Sequence, residues 1–384
     1  MNLKKIFFAS ICLVITINTG KTQNIVSYNA IEKSLFPSKG KEILAAHGDT
    51  LMLINSLTNR KELWIYRPST DSIEKHKAEI FYKSHLFNFA RHSLAFYDVL
   101  MNRFIFSKLE NGILTNYMGD KLKGVGEESI GLSLPRFYFF NNHWLILSLA
   151  GYAYMDNKLF YGYLTVEGTW TIPPQSIFEY PDDLTQSFGL VKAYAATTFN
   201  GRQLICSEVS GNHPIAKENN QPNGLFVLTE LSDDFTVSRH MPIINQHDST
   251  LLGKEIPSII ELLDINERLA LTVKKESSFY VKVFGADFKL IKQLPITEGI
   301  SVTKHTSIPI AKGFITTYST SNDLSVVYIV RDGTIRKRWK IHSANMNYVD
   351  FYCMKDKENF YVIINDKQAN EIIRKTIPLL DLEK

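Results

Sequence analysis

The 384-residue chain is poor in cysteine and has no strong excess of charge of either sign. It contains 3 cysteines, 43 basic residues and 39 acidic residues. A small disulfide-stapled fold needs a much higher density of cysteine. A nucleic-acid binder needs a concentrated basic excess. The composition therefore excludes both classes.

The chain also lacks helical periodicity and the common catalytic motifs. No amphipathic pattern persists over two helical turns. A Gly-x-Ser-x-Gly elbow, a P-loop, a dinucleotide fingerprint, a His-Glu-x-x-His motif and a calcium loop are all absent. The sequence therefore predicts no cofactor and no metal ligand set, and it favours a protein that is not an enzyme.

Residues 1–23 have the composition of an export signal. Two lysines precede an apolar run from Ile6 to Ile17, and small polar residues then lead to a predicted cleavage near Gln23. This run is shorter than the roughly 20 residues of a membrane span, and no later run is longer. The mature protein, 24–384, is predicted to be secreted or periplasmic, without a transmembrane segment. A retained N-terminal anchor is the alternative.

Seven times along the chain an apolar run meets a tight turn and returns as a second apolar run, at a spacing of about 50 residues. The runs are short, rich in β-branched and aromatic residues, and bounded by Gly, Asn, Asp or Ser, as in β-strands. A second hairpin recurs in six of the units, often at Asn-Gly or Asp-Gly, which supply the positive φ of a tight turn. The seven turns are His47-Gly48-Asp49, Arg91-His92-Ser93, Asn141-Asn142, Asn200-Gly201, Asn266-Glu267, Lys312-Gly313 and Lys355-Asp356.

The seventh unit, from about Asn347, shows only three strands. A further strand, Asn24 to Ile31, follows the signal, and its pairing with the last unit would close a ring and remove two free sheet edges. This organisation resembles the β-propeller architecture of a secreted bacterial-type protein, over the whole of 24–384. The resemblance implies a single all-β domain with seven blades, or six or eight if one hairpin is miscounted. A tandem of β-sandwich domains is the structural alternative.

The resemblance does not extend to a specific propeller family. The Trp-Asp dipeptide of WD40 repeats is absent. Gly168-Thr169-Trp170 is similar to the end of a sialidase Asp-box, but it has one residue too few and occurs once.

The long connections of such a ring fall on one rim. In a four-stranded blade, the turns that join strands one to two and three to four share a rim, and the remaining connections lie on the opposite rim. Long loops in compact domains are commonly functional. We therefore expect a binding rim beside blades three to five. The long segments are Lys121 to Ile130, Ala150 to Asn157, Pro173 to Ser187, Ser210 to Asn223 and Gln246 to Pro257.

Candidate binding side chains on this rim combine aromatic rings with carboxylates and imidazoles. Rings stack on sugars or peptides, and the polar groups form hydrogen bonds. The same residue types are also ordinary turn formers. The candidates are Tyr152, Tyr154, Asp182, Asp183, His213, His247 and Asp248.

A second candidate set consists of polar residues that interrupt the predicted innermost strands. A ring with both charge signs could bind a zwitterionic or anionic molecule, or an ion, or it could simply fill a solvated channel. These residues are Arg136, Lys192, Glu261, His305 and Asp350.

Two smaller features concern structure. Cys206 and Cys353 lie in apolar strand runs, which is typical of buried thiols, although an oxidising compartment would also allow a disulfide. The basic run from Arg336 to Lys340 is predicted to be the solvated edge of an outer strand.

The leading hypothesis is a monomeric, non-catalytic propeller that binds a ligand, glycan, peptide or envelope protein through the looped rim. One alternative is a carbohydrate-active hydrolase or lyase, in which Asp182 or Asp183 faces Asp248 or Glu255 across the substrate. A further alternative is a structural subunit of an envelope assembly, which would show a large apolar surface patch.

Overall fold

The computed structural model describes most of the chain beyond the predicted export signal. The described residues are 26–27, 30–55, 62–77, 87–90, 93–98, 103–110, 113–121, 131–151, 158–166, 168–180, 190–243, 258–275, 277–297 and 300–383. The export signal stays a prediction because residues 1–25 lie outside this part.

β-strands make up almost all of the described chain. The strands are β1 (Val26–Ser27), β2 (Ile31–Phe36), β3 (Lys41–His47), β4 (Thr50–Asn55), β5 (Glu62–Arg67), β6 (Ser72–Lys77), β7 (Phe87–Ala90), β8 (Ser93–Asp98), β9 (Arg103–Glu110), β10 (Ile113–Lys121), β11 (Gly131–Phe140), β12 (His143–Gly151), β13 (Lys158–Thr165), β14 (Trp170–Ser176), β15 (Val191–Phe199), β16 (Arg202–Val209), β17 (Leu225–Leu231), β18 (Val237–Ile243), β19 (Ser258–Asp264), β20 (Leu269–Lys275), β21 (Ser278–Phe284), β22 (Leu290–Thr297), β23 (Lys304–Ile310), β24 (Gly313–Ser319), β25 (Asp323–Val330), β26 (Ile335–Ser343), β27 (Val349–Lys355), β28 (Asn359–Asp366) and β29 (Glu371–Pro378). The helical elements are α1 (Pro214–Glu218), α2 (Leu379–Glu383) and a 3-10 turn at Met346–Tyr348.

The described strands form seven sheets. Consecutive antiparallel strands from β3 to β26 build six of them, four strands at a time, and we name these blades 1 to 6 in chain order. Blade 7 has the order β2-β29-β28-β27. The first strands of neighbouring blades contact one another in a complete circle, from β3 through β7, β11, β15, β19, β23 and β27 back to β3. The predicted all-β propeller is therefore confirmed, with a blade number inside the predicted range.

The ring closes through the N-terminal segment, as predicted. The strand that closes it is β2, however, and not the predicted strand from Asn24 to Ile31. Strand β2 pairs with β29, with Ser34 opposite Ile373. Strand β1 instead runs parallel to β26 in blade 6, with Val26 opposite Trp339. Side-chain partners favour this register, because Glu32 forms an ion pair with Lys375 of β29.

The basic run lies on an outer strand, as predicted, but it is not simply a solvated edge. Strand β1 covers β26 at Trp339 and Lys340. Three of the four basic side chains of the run also have protein partners, and these contacts join β26 to neighbouring elements. The hydrogen bonds and ion pairs are Lys337 Nζ to Asp381 O, Arg338 Nη1 to Ile296 O, and Lys340 Nζ to Asp323 Oδ2 at 2.8 Å.

Apolar side chains fill the spaces between neighbouring blades. Leu145 and Tyr163 of blade 3, for example, pack with Ile205 and Val227 of blade 4. Similar clusters join blades 4 and 5, 5 and 6, 6 and 7, and 7 and 1. The second strand of a blade is covered on both faces, so all of β24 is buried, whereas the outer strand β14 alternates between more and less exposed positions.

The first four residues of the predicted connection from Pro173 to Ser187 belong to strand β14 instead. It includes Pro173 and Pro174 and ends at Ser176. An outermost strand needs hydrogen bonds on one side only, so proline is tolerated there.

Cys206 and Cys353 are buried and free. Burial raises the pKa of the Cys353 thiol to about 12 and also raises that of Cys206. Neither thiol is therefore activated as a nucleophile. In the described part of the chain, no helix reaches the length and apolarity of a bilayer-crossing segment.

Candidate functional site: a cleft between blades 3 and 4

A concave surface lies on the outer wall between blades 3 and 4 and extends towards the rim of long connections. Its volume is about 920 Å³, within the usual range for ligand pockets. We name it the blade 3–4 cleft. Its lining residues are Tyr161, Gln175, Ser176, Ile177, Phe178, Glu179, Tyr180, Pro214, Ile215, Glu218, Thr236, Val237, Ser238, Arg239 and His240.

An aromatic cluster forms the floor of the cleft. Phe178 is only 3% exposed, and its ring centroid lies 4.7 Å from that of His213 and 4.9 Å from that of His240. The ring of Tyr180 is 6.3 Å from Phe178, and Lys158 Nζ lies 5.1 Å from the Tyr180 centroid. We name Phe178, Tyr180, His213 and His240 the aromatic floor.

The loop between β16 and β17 holds this floor in place. His213 is the N-cap of α1, where its Nδ1 accepts a hydrogen bond from Ile215 N at 3.2 Å, and Pro214 has the fixed φ that suits the first helical turn. The loop folds back tightly at Gly211. A Cβ there would lie 1.8 Å from Pro222 O, so only glycine allows this approach.

Burial controls the protonation of the floor. Desolvation, with a smaller effect from His240, lowers the pKa of His213 to about 4. Desolvation also lowers the pKa of His240, against an opposing effect of Glu179, so both imidazoles are neutral at pH 7. Among the described residues, His213 Nε2 and the Tyr180 hydroxyl are buried without a hydrogen-bond partner.

The charged side chains that line the cleft differ in whether they form ion pairs. Arg239 donates from Nε and Nη2 to Glu230 Oε2, at 2.9 Å and 2.7 Å, and Arg202 Nη1 lies 3.7 Å from the same oxygen, so both guanidinium groups share one carboxylate. Glu179 and Glu218 are exposed, and neither forms an ion pair with any residue that the structure describes. The cleft therefore combines an apolar aromatic floor with two open carboxylates.

The predicted rim residues are only partly covered by the structure. His213 is described, and it is 1% exposed and belongs to the buried aromatic floor rather than to a solvated rim. The other six lie outside the described residues: Tyr152, Tyr154, Asp182, Asp183, His247 and Asp248. Glu255 does too, so the hydrolase or lyase hypothesis stays a prediction.

The predicted channel residues all lie on innermost strands, but several are bound to neighbouring blades. Arg136 Nη1 donates to Tyr194 O at 2.8 Å, which links blades 3 and 4. His305 Nε2 lies 3.1 Å from Glu261 Oε2, which links blades 5 and 6. These contacts give the side chains a structural role, and ligand binding in the channel stays a prediction.

The remaining two channel candidates differ from each other. Asp350 lies 3.6 Å from Lys304 of blade 6 and 2.9 Å from Lys367, and Lys192 is exposed on β15. Among the described residues, no group of three or more His, Cys, Asp or Glu side chains could hold a metal ion.

Sequence reasoning missed most of the cleft. Phe178, Glu179 and Tyr180 lie inside the connection that was singled out as long, but only its aspartates were selected. His240 and Glu218 gave no local signal, since blade packing alone brings them to this surface.

Comparisons with known proteins agree on the fold. No family model matches the chain, and no curated protein matches it in sequence. Among solved structures, the chain is similar to the WD40 domain of Toxoplasma gondii coronin, with 11% identity, a TM-score of 0.51, and coverage of 92% of this chain and 88% of that chain. It is also similar to a puromycin hydrolase S511A mutant, with 9% identity, a TM-score of 0.53, and coverage of 92% and 56%. At such identities the likeness defines the class, a β-propeller, and no more.

His213 makes stability depend on pH. Its pKa is about 4 in the folded protein against 6.5 for the free side chain, so the unfolded state binds the proton first as pH falls. We expect His213 to remove about 2 kcal/mol of unfolding free energy between about pH 7 and pH 5. Urea denaturation at both pH values measures this loss.

His213→Asn is the matched variant for this measurement. Asparagine keeps an N-cap acceptor but does not titrate. The variant should lose about 2 kcal/mol less over the same interval, so equal losses in both proteins would contradict the assignment.

Proposed function

We propose that this propeller is a non-catalytic binding protein that takes a peptide segment of a partner protein in the blade 3–4 cleft. The observation that carries the proposal is a ligand-sized cavity in which an aromatic floor adjoins Glu179 and Glu218, two carboxylates without an ion-pair partner among the described residues.

The chemistry of the cleft favours a basic peptide. The faces of aromatic rings attract ammonium and guanidinium groups, and exposed carboxylates accept their hydrogen bonds. The half-buried ring of Tyr180 can also pack against the aliphatic part of a lysine or arginine side chain. Glu179 and Glu218 would then bind the charged end of that side chain.

The titration behaviour supports binding rather than acid–base catalysis. An efficient general acid or base has a pKa near the working pH. Burial instead raises the pKa of Tyr161 and Tyr180 and lowers that of His213 and His240. All four pKa values are therefore shifted away from pH 7.

A peptide array tests this proposal. We expect the wild-type protein to retain peptides that contain lysine or arginine more strongly than neutral peptides of equal length. The double variant Glu179→Gln and Glu218→Gln should bind the best basic peptide at least about tenfold more weakly, since each lost charge-assisted contact removes about 1 kcal/mol or more.

Glu358→Gln serves as the matched control, because Glu358 is an exposed glutamate in the turn between β27 and β28, remote from the cleft. It should leave the affinity unchanged. A wild-type preference for neutral peptides, or equal affinities in the double variant and the wild type, would contradict the proposed function.

A further inference from the structure

A second concave surface lies between blades 5 and 6, on the rim of tight turns. Its volume is about 570 Å³. Its walls come from the turns β19–β20 and β21–β22 of blade 5 and the turns β23–β24 and β25–β26 of blade 6. We name it the blade 5–6 pocket. This rim is opposite the rim of long connections, on which binding was predicted.

The lining of this pocket is basic, although the whole chain is nearly balanced in charge. Four basic side chains face two acidic ones, Glu267 and Asp332. The basic residues are Arg268, Lys312, Arg331 and Arg336. This gives an excess of two positive charges within one cavity.

Much of this positive charge is not neutralised by the protein. In the described part of the chain, the guanidinium groups of Arg331 and Arg336 form no ion pair. Arg268 directs Nη1 to Arg331 O at 3.0 Å, a neutral carbonyl. Asp332 Oδ1 accepts a hydrogen bond from Thr334 N at 2.7 Å, and hydrogen bonds from Thr334, with smaller effects of the positive charges of Lys292 and Arg336, lower the pKa of this carboxyl.

One wall of the pocket contains a glutamate, Glu267, with a strained, positive-φ backbone. Asn266 and Glu267 form the β19–β20 turn with φ of 58° and 64°. The corresponding second position is Asn142 in blade 3 and Gly201 in blade 4, the residue types that tolerate this conformation. Glu267 therefore occupies its position against the local backbone preference, and such strain is concentrated at functional sites.

We propose that the blade 5–6 pocket binds a phosphate monoester, a dianion near pH 7, carried by a phosphorylated segment of a partner protein. The excess of two positive charges matches a dianion, and the fork of an arginine guanidinium matches two oxygens of a tetrahedral anion. Glu267 would accept a hydrogen bond from a hydroxyl next to the ester. The site is independent of the blade 3–4 cleft, and either proposal can fail without the other.

Isothermal titration of the full mature chain with inorganic sulfate tests the site. At matched ionic strength, sulfate should bind at least about tenfold more tightly than acetate, since a dianion gains more from the paired cations. The double variant Arg331→Gln and Arg336→Gln should bind sulfate at least about tenfold more weakly, with an unchanged melting temperature because both side chains are exposed.

Two further variants separate this site from general surface charge. Arg202→Gln, at an exposed arginine after the equivalent turn of blade 4, should leave sulfate affinity unchanged. Glu267→Gln should raise it by about threefold, because a like charge leaves the pocket. Sulfate binding no tighter than acetate binding, or equal affinities in the double variant and the wild type, would overturn the proposal.

Two ester probes then test the class of ligand. Phosphoserine, a dianion near pH 7, should bind more tightly than inorganic sulfate, and this gain should disappear in the double variant Arg331→Gln and Arg336→Gln. A sugar sulfate carries a single negative charge and should bind more weakly than phosphoserine. If the sugar sulfate binds as tightly as phosphoserine, or phosphoserine binds more weakly than inorganic sulfate, the pocket is not a site for a phosphate monoester.

Discussion

Replacement of Phe178 by alanine is expected to lower the free energy of unfolding by about 4 kcal/mol, the usual cost of removing a buried aromatic ring. Phe178 is 3% exposed, belongs to the apolar cluster between blades 3 and 4, and contacts the rings of His213, His240 and Tyr180. Urea denaturation followed by circular dichroism measures the loss.

Phe178→Leu provides the matched control, since leucine keeps an apolar side chain in the same space. We expect this variant to lose about 1.5 kcal/mol or less. A loss below about 1 kcal/mol in Phe178→Ala would mean that the floor collapses into the gap, and Phe178 would then not be the residue that supports the cleft.

Replacement of Arg374 by methionine is expected to lower the free energy of unfolding by about 3 kcal/mol, because the Tyr66 hydroxyl and the Pro68 carbonyl lose a charged hydrogen-bond donor at the seam between the last and first blades. Arg374 Nη1 donates to the Tyr66 hydroxyl oxygen at 2.7 Å, to Pro68 O at 3.1 Å and to Asp71 Oδ1 at 3.2 Å. Its side chain is 13% exposed. Chemical denaturation of the variant and the wild type gives the difference.

Arg67→Met is the matched control for this seam. Arg67 belongs to blade 1 and pairs with Glu74, but both side chains are more exposed, at 28% and 45%. Exposed ion pairs contribute less than about 1 kcal/mol. If both methionine variants lost the same stability, the seam would have no special role in closing the ring.

The repeat was predictable because tight turns depend on local residues. Asn141-Asn142 and Asn200-Gly201 adopt positive φ and join strands where the sequence indicates a hairpin. The closing strand was harder to place. Two short β-prone stretches follow each other near the N-terminus, and the second of them, Ile31–Phe36, pairs with β29. Glu32 forms an ion pair with Lys375, over 300 residues away in sequence, and Lys33 forms one with Asp71, nearly 40 residues away. These distant contacts favour the second stretch.

The cleft and the pocket were not predictable in the same way. Loop length in the sequence indicated the long connections, whereas the blade 5–6 pocket is built from tight turns and the strand ends beside them. Its arginines are spread over about 70 residues, from Arg268 to Arg336, and meet only because two blades pack side by side.

The sequence by itself determined a β-meander repeat and its turns, because hydrophobic alternation and positive-φ residues act over a few neighbouring positions. The tertiary structure alone decided which strand closes the ring, which channel charges pair, and where open carboxylates and arginines gather. Those outcomes depend on contacts between blades, which are set by the packing of residues far apart in the chain and leave no local pattern.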